Sequence, residues 1–228
     1  MPDTDPGALI KAYLLDLYGG DPFADVYDAC ETHREQHGEE CGVYPAEPVK
    51  MRTLATIVKS ANARNVLEIG GGIGYSALWL ADAIGRAGRL ETIDRFLEHT
   101  RLIDGYAKRY DLAGRINAIH GEADEVLKRL SGPYDVIHDD GWFGEQPAYF
   151  ERMVELLRPG GLLLLANFFL LEDAISGEPR QDWSRFAGPE WEAGVRAYAE
   201  LLAADKRLHF SFIFRPAWVG LAYKRPDA

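Results

Sequence analysis

A run of glycines between an apolar segment and a helical pattern is the first feature with chemical meaning. The run reads Val66-Leu-Glu-Ile-Gly-Gly-Gly-Ile-Gly-Tyr-Ser76. Glycine permits positive φ angles, and it leaves no Cβ between the backbone and a ligand. The N–H groups at the start of the following helix favour an anionic or electron-rich group. The run therefore predicts a strand–loop–helix unit that cradles a cofactor.

A carboxylate follows this turn at the spacing that ribose recognition requires. Leu90-Glu-Thr-Ile-Asp94 reads as a second strand ending in an acid, about 20 residues beyond Gly74. A carboxylate at that position can accept both ribose hydroxyls of an adenosine. Read from Gly70, the dinucleotide fingerprint would need a glycine where Tyr75 stands, although a looser form ending in Ala77 fits from Gly72. An adenosine cofactor is predicted, and a pyrophosphate cofactor is the weaker alternative.

A cluster of titratable residues ends the fourth apolar segment. His138-Asp139-Asp140 follows the run that begins at Tyr134, and side chains two residues apart in a strand point to the same side. Because an imidazole titrates near neutrality, His138 with Asp140 as its partner is a candidate general base. The alternative is a buried histidine satisfied by a neighbouring carboxylate.

These groups must be positioned by strands that alternate with helices. Helical segments separate five apolar strands, predicted at 65–69, 89–93, 116–120, 134–138 and 161–166. This alternation implies βαβ units in a mostly parallel sheet. Two further strands, 208–214 and 217–224, are joined too closely for a crossover and must form an antiparallel hairpin. The predicted fold is a doubly wound, Rossmann-like α/β sheet of seven strands, five of them parallel, with helices on both faces.

Composition narrows the class of protein. With 228 residues the chain is long enough for one well-buried α/β domain. A net charge of −11 argues against nucleic-acid and anionic-membrane partners, which need a basic surface. Cys30 and Cys41 are too few for a disulfide framework and have no metal-type spacing. We therefore expect a cytoplasmic protein without a signal peptide or membrane span.

Five runs within residues 45–170 resemble one known family. They read VLEIGGGIGYSALWLA, TIDR, GEADEVL, YDVIHDDGW and LLRPGGLLLLAN, and they resemble the catechol and caffeoyl-CoA O-methyltransferase-like family of class I methyltransferases. The resemblance implies S-adenosylmethionine as the methyl donor, a small-molecule acceptor and, frequently in this family, a homodimer.

The resemblance also implies which residues bind the donor. Glu68, Gly70 and Gly72 would face its methionine part, with Tyr75 and Ser76 near the carboxylate. Asp94 would accept the ribose hydroxyls. Ala123 and Asp124 would border the adenine, and Trp142 would pack on it. Asp140, after the fourth strand, is also a predicted donor-binding residue.

Two departures from the family concern the metal and the base. The family's metal ligands correspond to Asp140 and Asn167, but the usual carboxylate before the asparagine is Ala166 here. Hard cations are held by several oxygens, including carboxylates. In the family, a lysine that serves as the base follows the tryptophan. The residue at that position here is Phe143, which cannot take a proton. We therefore predict turnover without an essential divalent metal, with His138 and Asp140 as the catalytic pair. A weakened metal site at Asp140 and Asn167 is the alternative.

Organisation and function follow from the same considerations. We expect a single domain, 1–228, with a helical cap over residues 1–48, a core over 49–228 and an acceptor loop at 171–186. Ligands bind beyond the carboxyl ends of the strands in such sheets, so the loop and residues 33–48 are the predicted walls of the acceptor pocket. O-methylation of a small metabolite is the leading hypothesis. N-methylation of a small amine, which is already nucleophilic, and a non-catalytic donor-binding protein remain open.

Overall fold

Seven strands form one mixed sheet in the computed structural model, which describes residues 6–141, 144–184, 188–213 and 218–227. The parallel strands are β1 (Asn65–Ile69), β2 (Arg89–Asp94), β3 (Ile116–His120), β4 (Tyr134–Asp139) and β5 (Leu157–Leu165). The antiparallel pair is β6 (Leu208–Ile213) and β7 (Val219–Lys224). The strand order is β3-β2-β1-β4-β5-β7-β6. The predicted fold class is confirmed.

Helices connect the strands and extend the chain at its N-terminal side. They are α1 (Pro6–Leu17), α2 (Ala24–His37), α3 (Pro48–Ser60), α4 (Tyr75–Ala83), α5 (Leu97–Arg109), α6 (Ala123–Arg129), α7 (Gln146–Leu156), α8 (Phe169–Ser176) and α9 (Trp191–Ala204). A 3₁₀ turn, Glu39–Cys41, lies between α2 and α3. Across the described ranges, no helix is long and apolar enough to cross a membrane.

The two faces of the sheet bury alternate residues of each strand. Val66, Val136 and Leu164 pack into one cluster with α2, α3, α4 and α5. Their neighbours Leu67 and Ile137 pack into a second cluster with α6, α7 and α9. This alternation follows from the period-two geometry of a strand, and it determines which polar residues can meet at each face.

Two boundaries differ from the sequence-based expectation. Helix α8 occupies the first part of the expected loop 171–186 because Leu170 and Ala174, four residues apart, pack together on Trp191. Strand β5 begins at Leu157, which pairs with Tyr134 ahead of a register shift. Both differences arise from tertiary packing, which local sequence patterns do not report.

The N-terminal helices pack against the helix that follows the glycine loop. The Phe23 and Trp79 rings meet edge to face, with centroids 5.7 Å apart. Tyr27 and Tyr75 do the same at 5.3 Å. Such pairs add stability beyond the burial of their area. The cap segment therefore lies at the carboxyl edge of the sheet, beside the predicted cofactor loop.

Candidate active site

A cavity of about 980 Å³ opens at the carboxyl ends of the parallel strands. The glycine loop and Asp94 line one part of it, and Asp140 and Asn167 line the middle. Residues 39–47 and the segment after β5 form the remaining walls. The volume is at the upper end of the range of roughly 300–1,000 Å³ for small-molecule sites, so the cavity has room for a nucleoside-sized molecule and a second small ligand.

The glycine loop is held in place by backbone contacts. Gly70 and Gly71 both donate their N–H to the Ile93 carbonyl, at 2.9 and 3.0 Å. Gly70 has a φ of +84°, and a Cβ there would clash with the carbonyl oxygen of Asp140. Gly72 also has a positive φ, +51°, but its Cβ position is open. The first glycine therefore lets the ends of β1 and β4 approach each other, whereas Gly72 leaves space beside the cavity.

Asp94 is held in one orientation by three donors. Its Oδ2 accepts from the Gly72 N–H at 2.9 Å. Its Oδ1 accepts from the Phe96 N–H and lies 2.9 Å from His99 Nδ1. The carboxylate is 8% exposed and lines the cavity. A carboxylate held by donors on its inner side presents its remaining lone pairs to a ligand, which suits the predicted recognition of ribose hydroxyls.

Of the histidines that lie behind Asp94, His99 was not predicted from the sequence. His99, in the first turn of α5, has its Nε2 3.3 Å from His33 Nε2. The His33 ring in turn stacks on His37, with centroids 4.3 Å apart. Burial lowers the pKa of His33, and the nearby His37 and His99 lower it further. A histidine one helical turn after a strand-end aspartate is the sequence signal that could have predicted the first contact.

The other predicted donor residues occupy different environments. Tyr75, Ser76 and Ala123 line the cavity. The Tyr75 hydroxyl donates to Asp21 Oδ2 at 2.6 Å, which connects α4 to the cap segment. Asp124 is directed to Lys128 on the same helix, 3.4 Å away. Trp142 and Phe143 lie outside the described residues. The role of each in donor binding stays a prediction.

Glu68 and His138 are neighbours across β1 and β4. The two residues are in register, and Glu68 Oε1 lies 3.3 Å from His138 Nδ1. Glu68 Oε2 accepts from the Thr92 hydroxyl at 2.7 Å. Glu68 is fully buried and His138 is 1% exposed. The carboxylate that contacts His138 is therefore Glu68, directly below the glycine loop, and Asp140 acts on this pair only through its charge.

One nitrogen of His138 is buried without a hydrogen-bond partner among the described residues. In the described part of the chain, no group accepts from or donates to Nε2, although the atom is buried. The alternative interpretation, a buried histidine satisfied by a neighbouring carboxylate, therefore applies to Nδ1 but not to Nε2. The assignment of His138 as the general base stays a prediction, because the side chain lies behind the cavity wall rather than on it.

Asp140 and Asn167 meet at the ends of β4 and β5. The Asn167 side-chain amide donates to Asp140 Oδ1 at 2.5 Å, and both residues line the cavity. Burial raises the pKa of Asp140, and His138, Lys50 and Asn167 oppose that rise. Over the described ranges, no cluster of three or more His, Cys, Asp or Glu side chains could hold a metal ion.

This donor set does not fit a divalent cation. An ion at this edge would need several oxygen ligands, but the Ala166 side chain has no oxygen to offer. Asn167 directs an amide N–H, rather than its oxygen, at the Asp140 carboxylate. The residues present therefore lack the oxygens that the family's metal site would require.

Lys50 is a cation in the cavity that the sequence analysis did not identify. It is the third residue of α3, is partly buried and lines the cavity together with Asp140. Burial lowers the pKa of Lys50, whereas Asp140 and Glu47 act in the opposite direction. Lys50 lies four residues before buried Leu54 and eight before buried Val58. A lysine on the apolar stripe of an amphipathic helix was the available signal.

Aromatic and charged side chains form the outer walls of the cavity. Phe169 and Trp183 have ring centroids 5.6 Å apart. The Arg180 guanidinium lies over the Phe169 and Trp218 rings, at 5.4 and 5.3 Å. Asp173 accepts from Trp183 Nε1 at 2.7 Å and pairs with Arg180 at 3.1 Å. Residues of the expected loop thus line the cavity. Their contact with an acceptor stays a prediction, and Phe186 lies outside the described residues.

Known proteins include relatives of this chain that can be identified by sequence. The O-methyltransferase family profile matches residues 35–222. Over 183 residues the chain is 32% identical to an inferred O-methyltransferase of Mycolicibacterium vanbaalenii, covering 79% of this chain and 77% of that protein. An inferred O-methyltransferase of Mycobacteroides abscessus is 32% identical over 184 residues, with coverage of 80% and 81%.

Solved structures share the same fold. The O-methyltransferase TomG of Streptomyces achromogenes, in complex with S-adenosylmethionine, has a TM-score of 0.82 at 24% identity, over 99% of this chain and 100% of that chain. The O-methyltransferase of Bacillus cereus, in complex with S-adenosylhomocysteine, has a TM-score of 0.80 at 23% identity, over 95% and 97%. The profile match spans most of the sequence and agrees with the resemblance of its motifs. The chain therefore belongs to the O-methyltransferase family.

Proposed function

We propose that this S-adenosylmethionine-dependent O-methyltransferase methylates a hydroxyl of a small metabolite bound beside Asp140. The carrying observation is that one cavity is lined by the glycine loop and Asp94 at one end and by aromatic and charged residues at the other. In the reaction, the acceptor O–CH₃ bond forms as the sulfonium S–CH₃ bond breaks, giving S-adenosylhomocysteine. Holding donor and acceptor in line in one cavity supplies much of the acceleration of such a step.

The hydroxyl proton must leave during this step. The predicted pair for this role is His138 and Asp140, of which Asp140 lines the cavity and His138 lies behind it. We expect Asp140→Asn to lower kcat by about 100-fold or more, the usual contribution of a general base. The pH profile of kcat in His138→Gln tests the histidine. An unchanged profile would exclude His138 as the base and leave the role of Asp140 intact.

The activity is tested with matched pairs of acceptors. The protein is incubated with methyl-labelled donor and a panel of phenols and alcohols, each paired with the amine of the same skeleton. Mass spectrometry then identifies the methylated product. We expect methylation of the hydroxyl member of at least one pair. Methylation of amines alone would show an N-methyltransferase, and donor binding without any product would favour the non-catalytic alternative.

We also propose that turnover needs no divalent cation, because Asp140 and Asn167 offer too few oxygens to hold one. The test compares kcat before and after exhaustive chelation, followed by addition of Mg²⁺ or Ca²⁺. We expect kcat to be unchanged by chelation. Loss of activity that either ion restores would show a functional metal site.

A second copy of the chain is the proposed partner of α1. Leu9, Ile10, Tyr13 and Leu17 are each 58–65% exposed, and three of them are spaced four residues apart along the helix. An apolar stripe of this kind is typical of a contact surface. Light scattering should give twice the chain mass of 25.5 kDa, and Leu9→Asp with Tyr13→Asp should reduce it to 25.5 kDa. A wild-type mass of one chain at micromolar concentration would refute the dimer.

A further inference from the structure

The cavity is lined by Lys50 together with Asp140 and Asn167. The last two offer too few oxygens to bind a divalent ion. Ala166 supplies no carboxylate, and Asn167 donates to Asp140. Lys50 lines the same cavity. We propose that the Lys50 ammonium takes the electrostatic role of the missing cation, facing Asp140 and binding the acceptor oxygen that receives the methyl group. This inference rests on the proposed function.

The position of Lys50 on its helix directs it inward. The buried residues of α3 are Met51, Leu54, Ala55 and Val58, and Lys50 lies at the N-terminal end of that stripe. Side chains on a helix lean toward its N-terminus, which here is the cavity end of α3. In the described ranges, Lys50 makes no hydrogen bond and no ion pair within 4.0 Å. Its three N–H donors are therefore available to a ligand.

Of the carboxylates considered around Lys50, Asp140 is the one that remains to balance the charge of the ammonium. Glu47, one turn away, is paired with Lys11 at 2.5 Å. Glu68 is already bonded to Thr92 and lies beside His138. Among the described residues, the hydrogen-bond partner of Asp140 Oδ1 is the neutral amide of Asn167. Its negative charge is therefore the one that Lys50 compensates in the cavity.

The chemistry assigned to Lys50 is stabilisation of a developing charge. As the acceptor loses its proton to the base predicted at His138 and Asp140, its oxygen becomes negative. That oxygen then attacks the methyl carbon, the S–CH₃ bond breaks, and the positive charge of the sulfonium is lost. An ammonium at the oxygen stabilises it up to that point and keeps its own proton. A fixed donor of this kind contributes most in a cavity that excludes water.

The first experiment is independent of any acceptor. Mn²⁺ binding to the S-adenosylhomocysteine complex is measured by electron paramagnetic resonance in wild type, Lys50→Met, Ala166→Asp and the double variant. We expect the double variant to bind Mn²⁺ at least about tenfold more tightly than Ala166→Asp alone, because removing the ammonium removes a repelling charge. Micromolar Mn²⁺ binding by the wild type, or equal affinity of Ala166→Asp and the double variant, would overturn the assignment.

The second experiment uses an acceptor found in the panel. We expect Lys50→Met to lower kcat about 100-fold or more, with the donor dissociation constant unchanged within about twofold. Lys50→Arg should retain most of the lost rate because it keeps the charge. Lys59→Met is the matched control, since Lys59 is on the same helix but pairs with Asp82 at the surface. A wild-type kcat in Lys50→Met would overturn the proposal.

Failure of the two proposals can be told apart. If no acceptor is methylated although the donor binds, the proposed function fails, but the Mn²⁺ measurement still tests the position of the Lys50 charge. If the wild type methylates an acceptor and Lys50→Met does so equally well, the proposed function stands and the role of Lys50 is refuted.

Discussion

The proposed donor end and the proposed acceptor end of the cavity are built in different ways. At the donor end, Asn65 through Asp94 form one continuous strand–loop–helix–strand unit, and backbone N–H groups donate to the Asp94 carboxylate. At the acceptor end, residues from α3, the cap segment and the region after β5 come together. Their contacts join side chains, as in the interactions of Asp173 with Trp183 and Arg180.

This difference bears on how each end can vary. Backbone geometry is nearly independent of side-chain identity, so the donor end depends on a few glycines and one acid. The acceptor end depends on ion pairs and stacked rings, each of which a single substitution can change. Enzymes whose site is divided in this way are expected to share one donor and to differ in their acceptors.

The largest effect should come from the glycine at the β1–β4 approach. Gly70→Ala places a Cβ against the Asp140 carbonyl at a φ of +84°, and we expect it to destabilise the protein by about 3 kcal/mol or more. Gly72→Ala has a positive φ but open space and should cost about 1 kcal/mol. Urea unfolding measures both. Equal losses would contradict the role assigned to the close approach.

Removal of the strand-end carboxylate should be next in size. Asp94→Ala removes the proposed acceptor of two ribose hydroxyls, so affinity for S-adenosylhomocysteine should fall by roughly 1.5–3 kcal/mol. Asp104→Ala, on the exposed face of α5, is the matched control and should leave the affinity unchanged. Calorimetry tests both variants, and an unaltered dissociation constant in Asp94→Ala would refute its role.

A substitution at the acceptor end should change the acceptor KM without changing the donor dissociation constant. Asp173→Asn keeps the shape of the side chain but weakens its charged interactions with Arg180 and Trp183. We expect the acceptor KM to rise about tenfold, the equivalent of roughly 1.4 kcal/mol, with the donor dissociation constant unchanged. Parallel losses in both constants would show that the two ends do not act independently.

The smallest effect concerns the two thiols near the acceptor end. Cys30 is 2% exposed, and burial raises its pKa to about 12, so only about one thiol in 10⁴ is ionised at pH 8. Cys41 is partly exposed. Iodoacetamide at pH 8 should therefore modify Cys41 first, as measured by peptide mass spectrometry. Faster modification of Cys30 would show that the cap opens in solution.

The strand–loop–helix–strand unit was predictable because its signals are local. The glycines, the flanking strands and Asp94 occupy one short stretch, and each can be recognised from its neighbours in the chain. The alternation of Val66 with Leu67 likewise reports the two faces of the sheet. The family resemblance, confirmed by the profile match, rests partly on this stretch and partly on the motifs that follow it up to residue 170.

The partners of the site residues were not predictable in this way. His138 was expected beside Asp140, but the closer carboxylate is Glu68, 70 residues away in the chain. Lys50 reaches the cavity from α3, and Tyr75 bonds to Asp21 in the cap segment. Each of these contacts joins residues far apart in sequence, so no local pattern could specify it.

By itself, the amino-acid sequence determined the strand–helix alternation, the glycine loop and the acid that ends β2. These depend on periodicity, on glycine φ angles and on spacing along a single unit. Only the tertiary structure decided which carboxylate contacts His138, how Asn167 faces Asp140 and which cation shares their cavity. The physical reason is that burial, charge pairing and hydrogen-bond direction depend on distances in space between elements that the chain separates.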